Sequence, residues 1–477
     1  MNGAGGELHR WPATALAAAL RTGEVSAVEV LEAHLAQIGR VNGAVNAIVT
    51  LDEDGAAAQA RDADALLRAG AAPGPLHGMP IAVKDLEDTA GMRTTYGSPL
   101  YADHVPQRDS PMVERLRAAG AIVVGKTNTP EFGAGSQTFN EVFGVTRNPY
   151  DLRRTAGGSS GGAAAAVAAR MLPFADGSDL AASVRNPAAF CNVVGLRPSP
   201  GRWPDLVTRG DAWDPMSVLG PIARSVDDVS LLYHALTGRD DRYPISLPGG
   251  HAAAPAAATR DRIRVAWTDD LGDLPVDPEI TEVLAPHRET MRSMGWEVVD
   301  AAPGLAIADE AFDVLRAVAF AAAFGDLVER QSGRIKDTVR WNAERAAQLT
   351  ARDVARAQTL RTRSYHRMRG FLGSYDVLAL PVSQVAPFPA EVQWVRAIGD
   401  HVMPHYVAWL RSCSRITVTA HPAISVPAGF TSAGLPVGLQ LVGRYRDEDG
   451  LLRIARAFEA ATGFAQTEPD IAPRRGP

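Results

Sequence analysis

Apolar positions recur with helical spacing through the first part of the chain. In Ala27 to Ile38, the residues Val30, Leu31, His34, Leu35 and Ile38 fall on one face, and residues 55 to 69 repeat the pattern with many alanines. With Thr22, Gly23 and Ser26 as punctuation, residues 7 to 70 are predicted to be helices. From Leu76 the texture changes to short apolar runs alternating with helical segments. Ile81 to Val83 predicts a buried strand, Met112 to Ala119 a helix, and Ala121 to Gly125 a second strand. Further on, Ser225 to Thr237 predicts a helix and Ile263 to Trp267 a strand, followed by helical segments at 276 to 293 and 308 to 370. Val377 to Pro381, Ala423 to Val426 and Val437 to Val442 read as strands, and Asp449 to Thr462 closes the chain as a helix. This alternation implies an α/β protein with a largely parallel sheet under covering helices. Two stretches lack periodicity: Arg202 to Gly220, expected to be an ordered loop, and the low-complexity run Gly249 to Thr259.

Composition narrows the class. A chain of 477 residues, 46% hydrophobic and 21% charged, can bury a large core as a globular protein. A net charge of −6 without a concentrated basic run argues against nucleic acid or an anionic membrane as partner. Cys191 and Cys413 are too few and too far apart for a disulfide framework or a zinc site, and fit a reducing compartment. Ala13 to Leu20 is short and followed at once by Arg21, so it reads as a surface helix and not a secretory signal. The expected location is cytoplasmic. His401 and His405 are four apart, but Pro404 between them disrupts the helix that would align them, so no metal is expected.

The chemistry concentrates between Thr155 and Pro200. A glycine-rich turn carries two serines (Gly157, Gly158, Ser159, Ser160, Gly161, Gly162) and opens an alanine-rich helix, and Ser183 follows 24 residues after Ser159. The small residues around Ser183 leave consecutive N–H groups unshielded, the composition that an oxyanion-binding turn needs. A serine hydroxyl needs a base at neutral pH, and Lys84 ends the apolar run Ile81 to Val83. Only Lys84, Lys126 and Lys336 are lysines here; arginine supplies the remaining basic charge. Arginine cannot give up its proton, whereas a buried lysine can. Taken singly, these features also fit tight turns, close packing, or a Lys84 paired with Asp85 or Glu87. A phosphate cradle at the helix N-terminus is physically allowed, but the loop lacks the P-loop lysine.

Together these residues resemble the amidase signature hydrolases. The resemblance rests on GGSSGG, on SVRNPAAFC, and on AVKD 75 residues before Ser159, and it extends to VGKTNTPEFGAGSQTFNEVFGVTRNPYD, YDVLALPVS and HPAISVPAGFTSAGLPVGLQLVGRYRDEDGLLRIARAFE. It covers essentially the whole chain, with 203 to 370 the least characteristic part. It implies the amidase-signature fold, a large twisted mixed and mostly parallel sheet with helices on both sides, in a single domain spanning 1–477. That domain divides into a helical segment (1–70), the catalytic core (71–202), a divergent substrate-side region (203–420) and closing core strands and helix (421–477). By resemblance the triad is Lys84, Ser159 and Ser183: Ser183 attacks the carbonyl and Ser159, held by a cis peptide, relays its proton to neutral Lys84. The backbone N–H groups of Leu180, Ala181, Ala182 and Ser183 form the oxyanion hole. Ser160, Asp179, Arg185, Asn186 and Ala134 are expected around this centre or on its substrate side. The family usually has two glycines where this chain has Ala181 and Ala182, which raises the question of a Cβ at a positive φ. No cofactor is implied.

The resemblance admits three functions. The first is a free-standing amidase acting on aryl or hydrophobic amides, and by the same chemistry on carbamates (urethanes). The second is the amidase subunit of a tRNA-dependent amidotransferase, and the third a catalytically silent binding protein. Trp203, Trp213, Phe320, Phe324, Trp394, Tyr406 and Trp409 are candidates for a large apolar leaving-group pocket. The partner expected is a small-molecule amide or carbamate, and a homodimer stays open.

Overall fold

The computed structural model describes residues 5–205, 210–249 and 263–471. Its centre is an eight-stranded sheet whose strands lie in the order Glu297–Asp300, Arg264–Trp267, Val377–Pro381, Pro436–Val442, Ala423–Phe430, Val194–Arg197, Val218–Ala223, Phe174–Asp179. Both faces are covered. Along Val377–Pro381, Val377 and Ala379 join one hydrophobic cluster while Leu378 and Leu380 join another, which is why this strand reads as unbroken apolar sequence. Helix Glu448–Thr462 packs on strand Ala423–Phe430 and helix Val226–Leu236 on strand Val218–Ala223.

The sheet is mixed, as expected, but not mostly parallel. Only the pairings of Arg264–Trp267 with its two neighbours are parallel; the other five are antiparallel. The cause is connection length. Parallel neighbours need a crossover, and here helices Pro278–Leu284 and His287–Ser293, then three helices between Ala308 and Phe371, provide it. Strands Ala423–Phe430 and Pro436–Val442 are joined by five residues, which permits only a hairpin.

A second, three-stranded sheet carries Lys84. Strand Pro80–Lys84 runs parallel to Ile122–Thr127 through the crossover helix Pro111–Ala118, and Ile48–Leu51 pairs antiparallel on the other side. The expected all-helical start is thus interrupted by one short strand between helices Ala27–Val45 and Glu53–Arg68. Ser26 and Glu29 close a capping box on the first of these, and Asn46 ends it in the left-handed conformation that turns the chain into the strand. The described parts of the 202 to 220 stretch hold no helix or strand before Val218, as expected. From residue 250 the low-complexity run lies outside the described residues.

Candidate active site

Lys84 ends its strand inside the protein, fully buried. Its backbone N–H donates to Asp176 Oδ1 at 3.0 Å, tying the small sheet to the edge strand Phe174–Asp179 of the large one. Its Nζ donates to three hydroxyl oxygens: Ser159 Oγ at 2.8 Å, Ser160 Oγ at 2.8 Å and Ser178 Oγ at 2.9 Å. Neither neighbouring carboxylate holds the ammonium by hydrogen bond; Asp85 turns instead to Thr95. Burial pulls the Lys84 ammonium down to about 7, against the opposing pull of Asp176, Glu87 and Asp179. A lysine in this state gives and takes a proton near neutrality.

The two serine turns are built for close approach. The Gly158–Ser159 peptide is cis. Gly161 and Gly162 open helix Gly161–Ala168, and a Cβ on Gly162 would lie 2.3 Å from the backbone nitrogen of Asn128, so only glycine fits there. The Gly161 N–H donates to Thr138 Oγ1 at 3.1 Å, and the Ser160 N–H donates to the Ser183 carbonyl at 3.1 Å, locking one turn onto the other. Ser183 follows strand Phe174–Asp179 in a turn held by a buried ion cluster. Asp179 accepts from the Val184 N–H at 3.1 Å and from Arg185 Nε and Nη2 at 3.0 and 2.9 Å. Arg185 also binds Cys413 O, Gln440 Oε1, Ala181 O and Thr417 Oγ1. Burial alone would raise the Asp179 carboxyl, but Arg185 and Arg197 bring it down to about 2. Ala181 and Ala182 have no positive φ, so their methyl groups sit without backbone strain. Among the described residues, the N–H groups of Leu180, Ala181, Ala182 and Ser183 have no acceptor within the protein.

Of the other expected residues, Asn186 is buried behind the glycine turn, its Oδ1 accepting from Ser136 Oγ at 2.8 Å while Ser136 Oγ also meets Gly158 O. Ala134 is buried; its carbonyl accepts from Lys336 Nζ and Thr338 Oγ1, and the flanking Gly133 and Gly135 line the cavity in its place. The sequence reading missed Ser178 and Ser136. Asp176 and Ser178 are two apart in strand Phe174–Asp179, hence on one face, and that face meets Lys84, but the polar, glycine-containing FADGSD carries no strand pattern from which this could be read.

Ser159, Ser178 and Ser183 open into a cavity of about 660 Å³, which Phe132, Phe320, Phe324 and Tyr406 also line. The expected tryptophans do not line it. Trp203 and Trp409 are core residues, the former donating to Tyr233 O at 3.0 Å; Trp213 is 69% exposed, and Trp394 lies against Arg396. These indoles sit in segments without periodicity, where pocket and core positions look alike in sequence. Acidic groups also line it: burial raises the Glu87 carboxyl, with Asp205 adding to the rise, and burial raises Asp205 as well. Among the described residues no group of three His, Cys, Asp or Glu side chains is placed to hold a metal, and no helix is long and apolar enough to cross a membrane.

A buried lysine touches serine hydroxyls that line this cavity, on an α/β fold with a mixed sheet, and similarity to known proteins places that combination among amide hydrolases. The chain belongs to the Amidase family, whose model matches residues 29–452. It is 36% identical over 470 residues to an acylamidase of Rhodococcus erythropolis, covering 97% of this chain and 98% of the relative. It is also 34% identical over 497 residues to a glutamyl-tRNA(Gln) amidotransferase subunit of Chloroflexus aurantiacus, covering 98% and 99%. Its structure is similar to that of a bacterial aryl acylamidase of the amidase signature family, with a TM-score of 0.89, 27% identity, and 96% and 98% of the two chains covered.

Proposed function

We propose that the chain is a free-standing hydrolase of aryl and hydrophobic amides, acting also on carbamates, through Ser183, Ser159 and Lys84. The observation that carries the reading is the 2.8 Å contact of Lys84 Nζ with Ser159 Oγ at an aromatic-lined cavity that Ser183 shares. Neutral Lys84 accepts the Ser159 hydroxyl proton as Ser159 accepts that of Ser183, and Ser183 Oγ attacks the carbonyl carbon. The unshared N–H groups of the Leu180 to Ser183 turn offer donors to the oxyanion. The proton returns along the same relay to the leaving amine, leaving an acyl ester on Ser183. Water attacks that ester, giving its proton to the relay, and releases the acid. A carbamate presents the same carbonyl and amine to this machinery, with an alkoxy group in place of the acyl carbon.

The test is turnover of acetanilide by the purified single chain, with the acyl adduct of a serine-directed inhibitor mapped by mass spectrometry. Ser183→Ala should lower kcat by at least about 10³-fold. An adduct on Ser159 or Ser160 would overturn the assignment. A second reading, the amidase subunit of a tRNA-dependent amidotransferase, is favoured by the 34% identity to a protein of that kind. It predicts that the chain alone is inactive on acetanilide.

A further inference from the structure

The cavity holds a cation whose charge no carboxylate answers. Arg316, on helix Ala308–Gln331, lines it and is only 4% exposed. Its Nη2 donates to Tyr406 Oη at 2.5 Å, but its Nε is buried without an acceptor. No ion pair joins it to a carboxylate among the described residues. The rings around it, Phe320 at 4.4 Å and Tyr406 at 5.5 Å from the guanidinium carbon, take some of the charge, but apart from the Tyr406 oxygen they offer no hydrogen-bond acceptor for its in-plane N–H groups. Arg185 and Arg415, also buried, are answered by carboxylates: Arg185 spends Nε and both terminal nitrogens on Asp179 and its neighbours, and Arg415 is held by Asp273 and Asp309; Arg197, whose Nε is likewise without an acceptor, still lies 3.6 Å from Asp179. A guanidinium removed from water without a counter-charge is costly unless a ligand supplies one.

Tyr406 adds a second donor. Its oxygen already accepts from Arg316 Nη2 and from Asn342 Nδ2, the latter at 2.6 Å. Asn342 Nδ2 also donates to Thr338 O, which fixes the orientation of its amide. Neither partner accepts in return, so the Tyr406 hydroxyl proton is left for a group in the cavity. Arg316, Phe320 and Phe324 are four apart on one helix face, an apolar stripe about 12 Å long ending in the guanidinium. Elsewhere on the lining, Arg242 is paired with Asp240 and Glu114, and Arg108 is exposed.

We propose that Arg316 and the Tyr406 hydroxyl form a carboxylate-binding pole of the substrate pocket, so that the preferred substrates are amides with an aromatic or aliphatic body and a carboxylate at one end. This rests on the reading of the cavity around Ser183 as the substrate site. The test measures binding to full-length Ser183→Ala protein by calorimetry, which needs no turnover. One pair of probes is 4-acetamidobenzoate and its neutral isostere 4-nitroacetanilide, with the carboxylate on the amine side. The other is succinanilate and butyranilide, with the carboxylate on the acyl side. The carboxylate member of at least one pair should bind at least 10-fold tighter. That ratio should fall at least 10-fold with Arg316→Met added, be partly kept by Arg316→Lys, and shrink with Tyr406→Phe. No preference in either pair, or a preference that survives Arg316→Met, overturns the proposal. Should Arg316→Met fail to fold, an undiminished preference in Tyr406→Phe overturns it instead. Failure of the wild-type chain to hydrolyse any of the four probes would count against the amidase reading alone, since the binding ratios are measured independently of chemistry.

Discussion

At Lys84, location and chemistry have one cause. An ammonium at the end of a fully buried strand loses its hydration, and three serine hydroxyls and distant carboxylates restore only part of the loss, so it titrates at about 7. Depression by burial means that the neutral, proton-accepting form grows as pH rises. The kcat/KM should therefore increase with pH on a limb centred near 7, fall about tenfold per unit below it, and level off above it. Lys84→Arg keeps a charge that cannot be given up, so it should lose activity nearly as completely as Lys84→Ala, by ~10² to 10⁴-fold. A pH–rate profile of wild type and an arginine variant assayed at pH 9 check both statements. Substantial activity in Lys84→Arg would mean that the position supplies charge and not proton transfer. The rarity of lysine brought this residue into view, but Lys126 likewise ends an apolar run, Ala121 to Gly125, so it was the AVKD match that singled out Lys84.

Among the elements, strand Phe174–Asp179 does the most positioning and was the least legible. Its sequence, FADGSD, has the polar and glycine content of a turn. It forms a strand because its polar groups are answered on both faces: Asp176 and Ser178 by Lys84, Asp179 by Arg185 and Arg197. Strand Val218–Ala223 was hidden in a similar way, since Gly220 and Pro221 break any β pattern, yet a Cβ on Gly220 would meet Leu196 O at 2.1 Å in the neighbouring strand. Strands made only of apolar residues, such as Val377–Pro381, were readable. So was the glycine turn, because close approach demands glycine whatever the context. The Asp179–Arg185 pair is wholly buried, so removing one member strands a charge. Arg185→Met should cost ~3 to 5 kcal/mol, read as a lowered denaturant midpoint, and it should depress turnover as the Ser183 turn loosens. A midpoint equal to that of wild type would show that Arg197 alone neutralises Asp179.

Over the whole molecule, two sheets meet where Lys84 donates to Asp176, and the cavity that Ser159 and Ser178 line beside that junction is walled in part by the long helix Ala308–Gln331. On the proposed function, substrate preference depends on this wall, to which Phe132, Phe320, Phe324 and Tyr406 contribute aromatic rings. Phe324 packs against Phe132 with ring centroids 4.7 Å apart and against Phe320 at 5.6 Å. An aryl group inserted among these rings would gain burial and edge or offset stacking, whereas a two- or three-carbon aliphatic amide offers them little apolar surface. A kinetic panel of acetanilide, an aryl carbamate and propionamide should give higher kcat/KM on the two aryl compounds. Phe324→Ala should raise KM for acetanilide by about 10-fold, the loss of ~1 to 2 kcal/mol of apolar contact, with kcat little changed because that contact is made equally in ground and transition states. Propionamide, with little apolar surface for the ring to cover, should be affected within about twofold. A higher kcat/KM on propionamide than on acetanilide in the wild-type chain, or a Phe324→Ala effect equal on both, would show that the aromatic wall serves packing of the helix and leaves substrate choice to the turns around Ser183.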